Sequence, residues 1–172
     1  MPRGFDFVET NFEGLLQLLV DEEVEFILIG GLAAIGHGLG LLTHDIDIVY
    51  RRSAENFERL VRAVAPLKPY LRGGGPDLPF RFDVKTLKMG LNFTLRTTYG
   101  DLDLLGEVSG GGFYDDLVPF TDEAEGYGRH FKIVQLDKLI ALKRAAGRPK
   151  DKEAIAQLEA LRQEKRKLEG TD

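Results

Sequence analysis

The sequence Asp-Ile-Asp-Ile at positions 45–48 constrains this chain more than any other feature. Successive side chains of a β-strand point to opposite faces, so Asp45 and Asp47 share one face while the isoleucines pack on the other. Two neighbouring carboxylates repel each other unless a cation lies between them, and Mg²⁺ is a cation that prefers oxygen ligands. The pattern therefore predicts a half-buried strand that carries a metal site. The alternative is an edge strand whose acids are simply solvated.

A third carboxylate is needed to hold two metal ions, and the segment 100–105 offers two candidates. Asp101 and Asp103 share one face of a second predicted strand. Asp103 lies between leucines, whereas Asp101 follows a turn glycine, so Asp103 is the predicted ligand and Asp101 the alternative. We expect Asp45, Asp47 and Asp103 to be both the metal ligands and the catalytic residues. The expected cofactor is a pair of Mg²⁺ ions, for which Mn²⁺ could substitute.

The glycine pair Gly30-Gly31 closes one predicted strand and opens a helix. Backbone N–H groups at such a turn can approach a phosphate closely. The acid pair that follows strengthens the interpretation of the two glycines as a phosphate site.

Lys143 lies on the apolar stripe of a predicted helix at 135–146. A lysine on an inward face needs an anionic partner, so Lys143 is a candidate nucleotide ligand; the alternative is a lysine that extends to solvent from the end of the stripe.

Three further residues are weaker candidates for nucleotide binding. His37 lies among glycines and either contacts a phosphate or base or only caps a short helix. Thr43 either donates to a phosphate or favours the strand by its β-branching. Arg148 either contacts an anion or caps the end of the preceding helix.

The periodicity predicts an α/β (α+β) fold in which helices flank a mixed sheet, because two strands follow each other late in an otherwise alternating chain. We expect a single domain, with a core at 1–134 and C-terminal helices at 135–172 packed on it. Thr10 is predicted to open the first helix with a capping box, and 66–79 is predicted to be a loop of unknown role. The predicted strands are 24–29, 45–50, 91–97, 101–105 and 130–134. The other predicted helices begin near residues 32, 53, 135 and 149.

Composition excludes some classes of protein. The 172 residues include no cysteine, which excludes disulfides, thiolate metal sites and a cysteine nucleophile. No segment has the length and hydropathy of a membrane span or a signal peptide, so a cytoplasmic location is expected. The net charge is −5, yet the segment 129–152 holds eight Lys or Arg and two Asp. Such a segment is either a local anion site or a solvated helix face.

The glycine pair, the Asp-x-Asp strand and the later strand acid together resemble the nucleotidyltransferases of the DNA polymerase β superfamily. A narrower resemblance is to the abortive-infection toxin type of nucleotidyltransferase and to the small antibiotic nucleotidyltransferases. The resemblance extends over about 26–158, except for the middle loop. It is carried by Gly30-Gly31-Leu32-Ala33, His37-Gly38, Thr43-His44-Asp45-Ile46-Asp47, Leu139-Ile140-Ala141-Leu142-Lys143 and Gly147-Arg148-Pro149-Lys150-Asp151. Ala154 stands in the region where those families often place another acid.

The resemblance implies a Mg²⁺-dependent enzyme that moves a nucleoside monophosphate from an NTP such as ATP to an acceptor hydroxyl. The expected acceptor is RNA or a protein in a toxin–antitoxin or defence setting, with a cognate antitoxin as a partner. A small antibiotic acceptor is the alternative. Two other hypotheses remain: a catalytically idle module of the same fold that binds a partner, and a metal-dependent phosphohydrolase.

Overall fold

The computed structural model describes residues 9–170, which form seven α-helices and nine β-strands. In chain order these are α1 (Phe12–Asp21), β1 (Phe26–Ile29), α2 (Gly30–Gly36), β2 (Asp45–Tyr50), α3 (Ala54–Val64), β3 (Tyr70–Leu71), α4 (Val84–Met89), β4 (Asn92–Thr97), β5 (Gly100–Leu105), β6 (Glu107–Val108), β7 (Gly112–Phe113), α5 (Tyr114–Leu117), β8 (Thr121–Gly126), β9 (Arg129–Val134), α6 (Leu136–Ala146) and α7 (Lys152–Leu168). Single turns of 3₁₀-helix lie at Ala65–Leu67, Val118–Phe120 and Pro149–Asp151.

Seven of the strands form one mixed sheet in the order β3-β4-β5-β2-β1-β9-β8. The pairs β2–β5 and β1–β9 are parallel, and the other four pairs are antiparallel. Strands β6 and β7 form a separate hairpin. The predicted class, a mixed sheet flanked by helices, is confirmed.

The two faces of the sheet differ in chemistry. Ile46, Ile48 and Tyr50 of β2 point to one face and are fully buried, and the ring of Tyr50 lies 6.5 Å from that of Phe57 in α3. The opposite face of β2 carries the carboxylates of Asp45 and Asp47, since side chains alternate along a strand. Residues of α6 lie across a cavity from Asp47, so β2 buries apolar side chains on one face and borders a cavity on the other.

The N-cap of α1 is Asn11, whose side chain accepts from the backbone N–H of Gly14 at 2.9 Å. The predicted capping box on Thr10 is therefore wrong. The Thr10 hydroxyl instead donates to the carbonyl of His44 and accepts from the backbone N–H of Asp101 at 3.1 Å. These long-range bonds connect the start of α1 to the starts of β2 and β5, so tertiary pairing overrides the local signal.

Several short elements lacked a sequence signal. β8 has the sequence Thr-Asp-Glu-Ala-Glu-Gly, which has no apolar alternation, and it forms because β9 pairs with it along all six residues. The predicted loop 66–79 contains the two-residue strand β3, while α4 and α5 are single short helices. The predicted helix end at Gly147 is confirmed, because Gly147 has φ +63° as the cap of α6.

The C-terminal helices pack in sequence, α6 against α2 and α7 against α6. Leu158 of α7 is fully buried in the common core. The boundary between core and helical segment at residue 134 remains a prediction. Among residues 9–170 no helix has the length and apolar character needed to cross a bilayer.

Candidate active site

Strand register aligns four carboxylates on the acidic face. In the parallel pair β2–β5, Asp45 lies opposite Asp101 and Asp47 lies opposite Asp103. Each strand contributes two acids two residues apart, and such residues share a face. The sequence predicted each pair separately; the strand pairing brings the two pairs together.

Three of these four carboxylates converge. One oxygen atom from each of Asp45, Asp47 and Asp103 lies within 4.8 Å of the other two. Asp101 is engaged elsewhere, because Arg96 Nε donates to its carboxylate at 2.9 Å. The structure thus brings the three predicted ligands together and leaves the alternative, Asp101, two residues before Asp103 on β5, where it pairs with Arg96 and lies 3.8 Å from Arg72 Nη1.

The electrostatics of the cluster show how crowded the negative charge is. Burial, the charge of Asp45 and a hydrogen bond with Asp103 raise the pKa of Asp47 to about 8, against a smaller opposing effect of Lys143. Burial also raises the pKa of Asp103, and the Arg72 guanidinium opposes that rise. Two carboxyl groups that resist ionisation side by side are the arrangement that a divalent cation would relieve. The donor set therefore fits a hard metal ion with oxygen ligands.

The glycine pair leaves room for this cluster. Gly30 has φ +72°, and a Cβ atom there would overlap the Asp47 carboxylate. A Cβ atom on Gly31 would lie 2.7 Å from the hydroxyl oxygen of Thr43. The Thr43 hydroxyl is 3.4 Å from the carbonyl oxygen of Asp45, which makes it a weak local contact. The structure thus places the Thr43 side chain against Gly31.

A cavity of about 370 Å³ opens over two of the acids. The sheet supplies its floor and α6 supplies one wall, where the half-buried Lys143 lies. Arg148 also borders the cavity, and its Nε donates to the buried Asp151 at 2.7 Å. The lining residues are Ile29, Gly30, Asp47, Asn92, Thr94, Asp103, Leu105, Glu107, Val108, Ser109, Leu139, Leu142, Lys143, Ala146 and Arg148.

His37 lies outside this cavity. Its Nε2 is 2.7 Å from the carbonyl oxygen of Val134, and the residue is the C-cap of α2. It lines a second cavity, of about 440 Å³, between α1, α2, β8 and β9. The structure therefore does not bring His37 to the acids.

Sequence reasoning missed the polar residues that β4 and its neighbours contribute. Asn92 and Thr94 alternate with buried Phe93 and Leu95, and this period of two was a usable signal that the strand has a polar face. Arg72 had no such signal, since its place beside Asp103 depends on pairing between β3 and β4.

The sheet order and the helix on the acidic face define the nucleotidyltransferase fold, and solved structures of that class resemble this chain. The lincosamide antibiotic adenylyltransferase LnuA, solved with lincomycin bound, superposes with a TM-score of 0.57 at 16% identity, over 89% of this chain and 99% of LnuA. TM1012 of Thermotoga maritima, proposed to be a nucleotidyltransferase, superposes with a TM-score of 0.53 at 15% identity, over 83% of this chain and 86% of that one. At these identities the likeness establishes the fold. No protein-family model matches the chain, and a search of curated proteins finds no relative.

Proposed function

We propose that this chain is a metal-dependent nucleotidyltransferase that moves a nucleoside monophosphate from an NTP to an acceptor hydroxyl. The observation that carries the proposal is the convergence of Asp45, Asp47 and Asp103 within 4.8 Å of one another, at the edge of a cavity of about 370 Å³. Asp45 and Asp47 lie on β2 and Asp103 lies on the neighbouring β5, which supports a metal site that the three residues share.

Each part of the cleft has a proposed role. Asp45, Asp47 and Asp103 would hold Mg²⁺ ions, which when bound polarise the phosphate and neutralise charge on it. Asp103 accepts the proton of the acceptor hydroxyl, whose oxygen forms a bond to the α-phosphorus. The bond from the α-phosphorus to the bridging oxygen breaks, and pyrophosphate leaves with that oxygen. Lys143, which faces Asp47 across the cavity, neutralises the triphosphate.

The other nucleotide candidates rank below Lys143. Gly30 and Gly31 would let the backbone at the start of α2 face the phosphates, beside the room they leave for Asp47. Arg148 borders the cavity but already pairs with Asp151, so it would act as a secondary contact. Thr43 and His37 engage backbone carbonyls, and we propose no direct contact with nucleotide for either.

The proposed acceptor is a macromolecule, RNA or protein, in a toxin–antitoxin or defence setting. The basic segment 129–152 supports RNA, though the fold pairs part of its charge: Arg129 contacts Asp21 at 2.7 Å, and Arg144 contacts Glu159. A small acceptor is the second candidate. It is supported by the size of the cavity, about 370 Å³, and by the likeness to LnuA, whose name describes an antibiotic adenylyltransferase.

The test is incubation of the purified protein with Mg²⁺ and each labelled NTP in turn. Parallel samples contain total RNA, a protein extract, or a panel of lincosamide and aminoglycoside antibiotics. Label in RNA that falls steeply as salt rises supports the RNA acceptor, and label in protein or antibiotic selects the other arms. Asp47→Asn should abolish transfer in every arm.

Other outcomes would overturn the proposal. Hydrolysis of the NTP without an acceptor, lost in Asp47→Asn, would indicate a phosphohydrolase. Absence of both metal and nucleotide binding in calorimetry would indicate a binding module of the same fold without activity.

A further inference from the structure

Arg72 is the one cation that contacts the third carboxylate among the ion pairs of residues 9–170. Its Nη2 donates to Asp103 Oδ1 at 2.6 Å. Arg72 is not among the residues that line the cavity over the acids. Its side chain is 24% exposed and that of Asp103 is 15% exposed, so solvent screens this pair less than a surface ion pair.

One backbone bond and two guanidinium bonds hold Arg72 in place. The backbone N–H of Arg72 donates to the Thr94 carbonyl at 2.9 Å, which continues the pairing of β3 with β4. Nη1 donates to the Leu95 carbonyl at 3.0 Å, while Nη2 holds Asp103. A guanidinium presents its donors in a rigid planar fork, so bonding one arm to the backbone of β4 sets the direction of the other arm.

We infer that Arg72 is a positioning residue that orients Asp103 for metal binding, an inference that rests on the proposed function. Arg72 holds Oδ1, which leaves the second oxygen of Asp103 for a metal shared with Asp45 and Asp47. Residues that hydrogen-bond to a metal-ligating side chain contribute strongly to metal affinity, and their loss typically weakens metal binding by about 10–100-fold. The rival explanation is that Arg72 only balances charge, in which case removing it would leave Mn²⁺ binding unchanged or tighten it.

Arg96 provides a matched control. Arg96 lies in β4, next to the segment that carries Arg72, and it also pairs with a carboxylate of β5: Arg96 Nε donates to Asp101 at 2.9 Å. Asp101 is outside the carboxylate cluster. Removal of Arg96 therefore breaks a comparable ion pair, while Asp101 keeps its longer contact with Arg72 Nη1 at 3.8 Å and Arg72 keeps its bond to Asp103.

The experiment is a calorimetric titration of Mn²⁺ into wild type, Arg72→Ala, Arg72→Lys and Arg96→Ala, with thermal unfolding of each. Arg72→Ala should bind Mn²⁺ about 10–100-fold more weakly, and added guanidinium ion should restore part of the affinity. Arg72→Lys should also weaken binding, since an ammonium cannot bridge the Leu95 carbonyl and Asp103 as a fork does. Arg96→Ala should stay within about twofold of wild type.

The results separate this inference from the proposed function. Wild-type affinity in folded Arg72→Ala, or in Arg72→Lys if the alanine variant does not fold, would overturn the positioning role alone. A wild-type protein that binds no Mn²⁺ would overturn the proposed function, and the inference with it.

Discussion

At Asp47 the needs of folding and of the proposed chemistry oppose each other. The carboxyl group is held among two other acids with its pKa raised to about 8, so its ionised form destabilises the metal-free fold. The same crowding attracts a divalent cation. A carboxyl group whose pKa is strongly raised by burial and by neighbouring acids is the pattern expected of a functional group.

The first prediction concerns the pH dependence of the metal-free protein. The folded state binds the Asp47 proton more tightly than the unfolded state, so its stabilising contribution is full below pH 4 and is lost as the pH rises toward 8. Asp47→Asn has no proton to lose, so with chelator present it should become more stable than wild type by about 1 kcal/mol or more at pH 8. Urea unfolding at several pH values measures the difference. Saturating Mg²⁺ should reverse the order, and parallel pH profiles for the two proteins would contradict the account.

A second prediction concerns Gly30. Alanine there has a Cβ atom that overlaps the Asp47 carboxylate, on a backbone with φ +72°. Gly30→Ala should lower the free energy of unfolding by about 1–3 kcal/mol and weaken Mn²⁺ binding. Gly40→Ala is the control, since a Cβ atom at Gly40 meets no atom within 4 Å. Equal stability of the two variants would show that the close approach to Asp47 is unimportant.

At the residue scale, the sequence identified the site residues whose position follows from a local pattern. Asp45 and Asp47 were predicted because strand alternation puts them on one face, and Asp103 because it lies between apolar residues. Arg72 could not be predicted, since its partner is 31 positions away in the chain. The position of His37 was equally undetermined, because the partner of its ring is Val134, on a strand far along the chain.

At the scale of elements, strong periodicity gave reliable boundaries. The predicted strand 45–50 and the helix capped by Ser53 occur as expected, since each has buried residues at the period of its element. Edge strand β8 and short strand β3 were not predictable, because pairing with a neighbour rather than their own composition stabilises them.

A third prediction belongs to the junction of α1 with β2 and β5. The Thr10 hydroxyl donates to the carbonyl of His44 and accepts from the N–H of Asp101. Thr10→Val keeps the shape of the side chain but removes a hydrogen-bond partner from two partly buried backbone groups, so it should lower the free energy of unfolding by about 1–3 kcal/mol. Thr10→Ser retains the hydroxyl and should lose less than the valine variant. If denaturant unfolding gives valine and serine the same stability, the hydroxyl does not join these elements.

At the scale of the whole molecule, the fold was predictable and the acceptor was not. The alternation of strands and helices, with two strands in succession, indicated the mixed sheet that the structure confirms. The proposed acceptor depends on surfaces whose charge is set by ion pairs in the folded chain. The contact of Arg129 with Asp21, for example, reduces the basic character that the linear sequence shows at 129–152.

The central claim is that Asp45, Asp47 and Asp103 form one divalent-metal site. The most direct measurement is a calorimetric titration of Mn²⁺ into wild type, Asp103→Asn and Asp101→Asn. The two variants remove equivalent charges two residues apart on β5, but only Asp103 belongs to the carboxylate cluster. We expect Asp103→Asn to lose binding and Asp101→Asn to keep it. Retained affinity in Asp103→Asn, or equal loss in both variants, would contradict the account.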